Sequence, residues 1–207
     1  MIVSDDLYNE FHIWAKQFIN DNCIVRDACL PGKLPNTYYS WMFYLKRGLF
    51  NKQFISAIAT MFLYRAEREI SKDLDFQITG LETAATPMVS CIPIILEIYF
   101  GKDINGFSIR KEPKEYGLKN IIEGGCNDKP VLMMDDLCNS SISMRKCYDI
   151  LTAYNLNVLP YAFVIVNKSN KDVHTEERMN SDMYLPNNIK VISLYTLDDF
   201  GLTNPSH

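Results

Sequence analysis

Asp135 and Asp136 stand side by side in this 207-residue chain, directly after the apolar run Val131-Leu132-Met133-Met134 and ahead of Leu137, Cys138, Asn139, Ser140, Ser141, Ile142 and Ser143. A continuous apolar run suits a strand buried on both faces, so the acidic pair falls at a strand's carboxyl end. Leu137 to Ser143 reads as a loop, and the spacing of Ile142, Cys147, Ile150, Leu151 and Tyr154 then makes a helix. Amides at a helix N-terminus, helped by short hydroxyls, hold a phosphate, and carboxylates beside them accept hydrogen bonds from sugar hydroxyls or touch a metal. One such loop could hold a ribose 5-phosphate. The plainer alternative is that the aspartates are turn residues and a serine caps the helix; the segment alone leaves both open.

A second signal is cationic. Arg110, Lys111, Lys114 and Lys119 cluster in an acidic chain, on a segment that Pro113, Gly117, Gly124 and Gly125 keep irregular. This is either a mobile lid that neutralises an anion or a solvated surface turn. Thr83, Ala84 and Ala85, between Gly80 and Pro87, offer backbone amides to an anion or small side chains to a tight strand-to-helix turn.

The elements that must position these residues follow from periodicity. Leu7, Phe11, Trp14, Ala15, Phe18 and Ile19 recur at helical spacing between Asp5 and Ile19. Leu30 to Asn36 reads as a loop, and the aromatic run Tyr38 to Tyr44 as a strand. Asn51 caps a helix that runs to Ile70, and Met88 to Phe100 is expected to be a core helix. Phe76 to Thr79, Phe107 to Ile109, Val131 to Met134, Tyr161 to Val166 and Ile189 to Ser193 are the candidate strands, while Asn167 to Asp182 is a polar loop. Strands alternating with helices imply an α/β fold with a mostly parallel sheet, whose ligands sit at the strands' carboxyl ends.

Length and a 47% hydrophobic content suit one domain with one core. A net charge of -4 and no basic stripe interleaved with aromatics argue against a nucleic-acid or membrane-surface binder. Scattered cysteines without a C-x-x-C pair, and histidines only at His12, His174 and His207, disfavour structural zinc and disulfides. No G-x-x-x-x-G-K-[ST] occurs, which speaks against a nucleotide hydrolase. The start Met1-Ile2-Val3-Ser4-Asp5-Asp6 lacks the features of a secretory signal, so the expectation is a cytoplasmic protein.

Three segments carry a family resemblance. The run from Val131 to Met144 resembles the phosphoribosyl pyrophosphate (PRPP) loop of the type I phosphoribosyltransferases. Arg110-Lys111-Glu112-Pro113-Lys114-Glu115-Tyr116-Gly117, continued to Gly125, is similar to the catalytic lid of the orotate phosphoribosyltransferases, and Gly80 to Pro87 resembles their pyrophosphate-contacting loop. The likeness covers about Phe76 to Lys168 and extends more weakly over Leu30 to Phe62.

The resemblance implies a single domain over 1–207, with a central sheet flanked by helices in a core of roughly 51–200 and a small helix/strand hood of roughly 1–50. It implies transfer of phosphoribose from PRPP to a nitrogenous base, orotate first, with release of pyrophosphate. Lys114, Asp135 and Asp136 would be catalytic. PRPP would be bound by Thr83, Ala84, Arg110, Lys111, Lys114, Tyr116, Asp135, Asp136, Leu137, Cys138, Asn139, Ser140, Ser141, Ile142 and Ser143, and the base by Asn139 and Lys168. Magnesium would be held mainly through PRPP or pyrophosphate, and a homodimer would share its lids between subunits.

The chain departs from the family pattern at informative places. Ser141 and Ile142 stand where the family usually has glycine, Tyr116 where it often has histidine, and Lys168 where it has arginine. The lysine expected before the aromatic strand falls near Pro31, with Lys33 the nearest substitute, while Tyr38 and Tyr39 either stack on a planar ring or fill the core, the core being the expectation. A non-glycine residue forced left-handed costs roughly 1 to 2 kcal/mol, or about tenfold in affinity. A non-catalytic sensor of PRPP or a nucleotide on the same scaffold is therefore the alternative function.

Overall fold

The computed structural model describes residues 2–31, 38–113, 120–139, 141–168, 185–186 and 188–203. Helix α1 (Asp5–Asn22) opens the chain, with Ser4 Oγ accepting from the Leu7 amide. A hairpin of β1 (Ile24–Pro31) and β2 (Tyr38–Phe43) follows, then the short α2 (Lys46–Leu49). Helix α3 (Lys52–Glu69) starts where expected, because Asn51 accepts from the amides of Gln53 and Phe54. After it come β3 (Gln77–Leu81), α4 (Thr86–Phe100), β4 (Gly106–Ile109), β5 (Ile122–Glu123), β6 (Val131–Cys138), α5 (Ile142–Ala153), β7 (Val158–Asn167) and β8 (Lys190–Thr196).

The main sheet has the order β5-β4-β3-β6-β7-β8 and is parallel throughout, except where β5 runs against β4. Alternation along β6 sends Leu132 and Met134 into a core shared with α1, α3 and α4, and Val131 and Met133 into a second core closed by α5. Helices therefore cover both faces, as a parallel sheet requires. Among the described residues no helix is long and apolar enough to cross a membrane.

Several expectations are corrected. Leu30 and Pro31 belong to a strand, paired with Tyr39 and Tyr38; Pro31 is tolerated because β1 has only one neighbour. Helix α4 buries Met88, Val89, Ile92 and Leu96 but leaves Ile94, Ile98 and Tyr99 exposed, so it is a core helix on one face only. Tyr38 is 62% exposed and Tyr39 half-buried, because their strand lies in the hairpin outside the main sheet. Strand β6 runs past Met134 to Cys138, since Asp135, Leu137 and Cys138 pair with Val164, Val166 and Asn167. The strand thus takes in Leu137 and Cys138 of the expected loop, and Ile142 and Ser143 already lie in the helix.

Gly106 lets α4 come close against the sheet: a Cβ there would lie 2.1 Å from the Val89 carbonyl oxygen. Gly106→Ala is expected to destabilise the protein by about 1 to 3 kcal/mol. Thermal unfolding should register about 2 to 4 °C for each kcal/mol lost; an unchanged midpoint would contradict this packing.

Candidate functional site

Because β3, β4, β6 and β7 are parallel, their carboxyl ends open on one edge of the sheet, and the chemistry-bearing segments gather there. Asp135 and Asp136 sit in the last half of β6, the former only 8% exposed and the latter half-buried. The Asp136 amide donates to Asp135 Oδ1 at 2.9 Å. Burial, and then the neighbouring Asp136 carboxylate, pushes the Asp135 carboxyl well above the usual range; burial raises Asp136 as well. Two cations counter this from different sides, Lys111 acting on Asp135 and Lys46 on Asp136.

The chain leaves β6 through a turn in which Ser141 adopts φ 60° and ψ 2°, the left-handed conformation that glycine takes at least cost. Serine therefore keeps the turn the glycine pattern anticipates and accepts its strain. Ser141 Oγ lies 3.3 Å from the buried Cys138 Sγ, and its carbonyl accepts from the Arg145 amide at 2.8 Å. Asn139, Ile142 and Ser143 are exposed, at the place where the first amides of α5 lack intrahelical acceptors. Leu137 is half-buried, and Ser140 lies outside the described residues.

On the far side of β6, the end of β3 comes so close that a Cβ on Gly80 would stand 2.4 Å from the Met134 carbonyl oxygen. The Glu82–Thr83 peptide is cis, Thr83 is exposed and Ala84 half-buried. Glu82 then ties this loop to the cationic segment. Its carboxylate accepts from the Lys111 amide at 3.1 Å and lies 3.7 Å from Arg110 Nη1, which is equally far from Glu123. The Arg110 amide donates to the Ile121 carbonyl at 2.8 Å, closing the base of the segment between them. Lys114, Tyr116 and Lys119 lie within that segment and outside the described residues; Lys33, between β1 and β2, is also outside them.

Across the sheet edge, the Lys168 amide donates to the Cys138 carbonyl at 2.6 Å, which fixes Lys168 beside Asn139. Its ammonium rests 4.6 Å from the centroid of the Trp41 ring and 5.3 Å from that of Tyr39, and partial burial lowers its pKa.

The fold thus brings together Arg110, Lys111, Asp135, Asp136, the described residues of the 137–143 turn and Lys168, with Thr83 and Ala84 on the neighbouring strand-to-helix turn. Sequence reading gave no role to Lys46, Trp41 or Glu82. The first two reach the site from the N-terminal part of the chain, and nothing local marks them. Glu82 did carry a signal: a carboxylate in a loop read as anion-binding needs a cation partner. No three of His, Cys, Asp or Glu converge as a metal site among the described residues. The acidic pair still fits a magnesium ion that takes most of its ligands from a bound phosphate, because such ions use one or two carboxylates.

Comparison with known proteins bears on the fold and on sequence similarity. No family model matches the chain. It is 29% identical over 159 residues to an orotate phosphoribosyltransferase of Methanococcus maripaludis, an alignment covering 76% of this chain and 77% of that one. Orotate phosphoribosyltransferase of Mycobacterium tuberculosis in complex with Fe(III) dicitrate superposes with a TM-score of 0.69 at 18% identity, over 93% of this chain and 99% of its own. The same enzyme solved with PRPP gives a TM-score of 0.61 at 14% identity, over 96% of this chain and 93% of its own.

The raised carboxyl pair ties stability to pH. Above about pH 4 the unfolded chain ionises both aspartates while the folded protein retains a proton, so stability falls as pH rises toward the raised folded value. Asp135→Asn should therefore raise the thermal midpoint at pH 8 by a few degrees and change it little at pH 4, with a gain of about 1 to 3 kcal/mol at the higher pH. Equal shifts at both pH values would show that no proton is held there.

Proposed function

We propose, for a chain that has the type I phosphoribosyltransferase fold and a sequence similar to the orotate enzymes, that it transfers phosphoribose from PRPP to a nitrogenous base, orotate being the first acceptor. The observation that carries this reading is the buried acidic pair beside a left-handed turn into a helix, with Lys111 acting on Asp135 while its amide is held by Glu82, next to Thr83 and Ala84. In the reaction a base nitrogen bonds to the sugar's anomeric carbon as the carbon–oxygen bond to pyrophosphate breaks. Positioning and charge stabilisation dominate such a step.

In this reading the 5-phosphate lies against the α5 amides and the hydroxyls of Ser140, Ser141 and Ser143, with the backbone of Leu137, Cys138, Asn139 and Ile142 completing the cradle. Asp135 and Asp136 accept hydrogen bonds from the ribose hydroxyls and oppose the positive charge that grows on the sugar. Hydroxyl donors favour the ionised carboxyls, so donor binding releases the proton the empty pair retains. Thr83 and Ala84 amides, Arg110, Lys111, Lys114 and Tyr116 meet the pyrophosphate, while Asn139 and Lys168 meet the base. Asp135 and Asp136 would be the side chains nearest a magnesium ion carried mainly by the donor's phosphates, and such an ion would supply positive charge toward the pyrophosphate. A homodimer whose lids reach the neighbouring subunit's site completes the proposal.

Incubating the protein with PRPP, magnesium and a panel of bases tests the reading: pyrophosphate release with orotate or another base is expected. Donor binding without release for every base would favour the sensor. Lys114→Ala should lower kcat at least about tenfold with little change in PRPP affinity, because a closing lid acts on the transition state. Equal rates in the variant and parent would remove the lid from the mechanism.

The non-glycine turn is what raises the second reading, a binder without turnover. Ser141→Gly relieves about 1 kcal/mol of left-handed strain. If the strain is stored in the empty turn and persists on binding, stability rises and PRPP affinity is unchanged. If the turn must rearrange to admit phosphate, PRPP binding by calorimetry tightens severalfold.

A further inference from the structure

We propose that Trp41 and Tyr39 are positioning residues for the acceptor base, holding the Lys168 ammonium in one place at the sheet edge so that it can engage an anionic group on that base. This rests on the phosphoribosyl-transfer reading above. Lysine is a flexible point charge and, unlike the planar arginine fork, does not fix its own direction toward a carboxylate. Here the direction comes from outside the side chain. The Lys168 backbone is tied to Cys138, and its ammonium rests on two rings of β2. Tyr39 and Trp41 are two positions apart, so alternation puts both on one face of that strand.

The rings are themselves held. Trp41 is buried and meets Phe43 edge-on at 5.6 Å, and Phe43 meets Phe200 edge-on at 5.5 Å. A cation sheltered this way has lost part of its water, which strengthens its attraction to an incoming anion relative to a fully hydrated ammonium. An uncharged base gains nothing from that. The hairpin therefore contributes to acceptor choice through Lys168.

Steady-state kinetics with PRPP and orotate test this on the full chain. Tyr39→Leu and Trp41→Leu should each raise KM for orotate roughly tenfold while kcat and the KM for PRPP stay within about twofold. Trp41→Phe should restore most of the loss. In a Lys168→Met background the ring substitutions should add nothing further. A parallel rise in both KM values, or ring effects that persist without Lys168, would overturn the proposal. If Trp41→Leu fails to fold, Trp41→Phe and Tyr39→Leu decide the matter. Should the parent protein release no pyrophosphate with any base, the transfer reading falls. Calorimetric orotate binding by the same variants then judges the positioning role alone: loss in Tyr39→Leu supports it, and no binding by the parent protein overturns it.

Discussion

A carboxyl group kept out of water at the end of the central strand sets the terms for its surroundings. Burying a carboxylate is costly unless it is neutralised or paired, and Asp135 is flanked by a second acid rather than a close cation. The fold answers in part with a carboxyl that gives up its proton less readily than a free one and in part with cations, Lys111 acting on Asp135 and Lys46 on Asp136. Neither answer removes the cost. A group bringing hydroxyl donors to these oxygens would offset it most directly, which is the role the proposed function gives the ribose. That is why the parallel arrangement matters: it delivers the acidic pair, the amide-rich turn and the cationic segment to one edge without any of them being adjacent in sequence.

Sequence alone was sufficient wherever the determinant was local. The apolar run into Asp135, the Asn51 cap and the alternation of strands with helices each express a preference carried by the residues concerned, and each has its counterpart in the structure. Failures came where a partner far along the chain decides. Strand β6 extends through its aspartates because β7 offers Val164, Val166 and Asn167 as ladder partners, against the low strand preference of aspartate. Leu30 and Pro31 become a strand because β2 folds back on them. Lys46 and Trp41 are at the site for the same reason: Trp41 of the hairpin meets Lys168, and Lys46 at the start of α2 acts on Asp136, both partners lying in or just after strands formed much later in the chain.

Ser141 shows how a departure from a family pattern is best weighed. A missing glycine first suggests a different loop, yet the turn stays left-handed and serine occupies it. A strained residue persists only when its surroundings over-determine it. Here they do: the strand is paired up to Cys138 on one side, and the first helical hydrogen bond, from the Arg145 amide to the Ser141 carbonyl, is made on the other. The amides that would face a phosphate are then set by the strand and helix axes more than by the residue between them. Loss of glycine alone is thus weak evidence for loss of function.

The replacement of arginine by lysine at position 168 admits the same treatment, with a different outcome. A change of backbone freedom can be absorbed by rigid neighbours, but a change from a two-pronged donor to a point charge alters what can be recognised. Neighbours can restore position, not shape. The rings of Tyr39 and Trp41 return to the ammonium the fixed location that lysine lacks, yet they supply no second prong. Under the proposed transfer reaction such a site would distinguish a charged acceptor from a neutral one more sharply than two charged acceptors of different outline, and discrimination by outline would fall to other residues near the base, the proposed Asn139 among them.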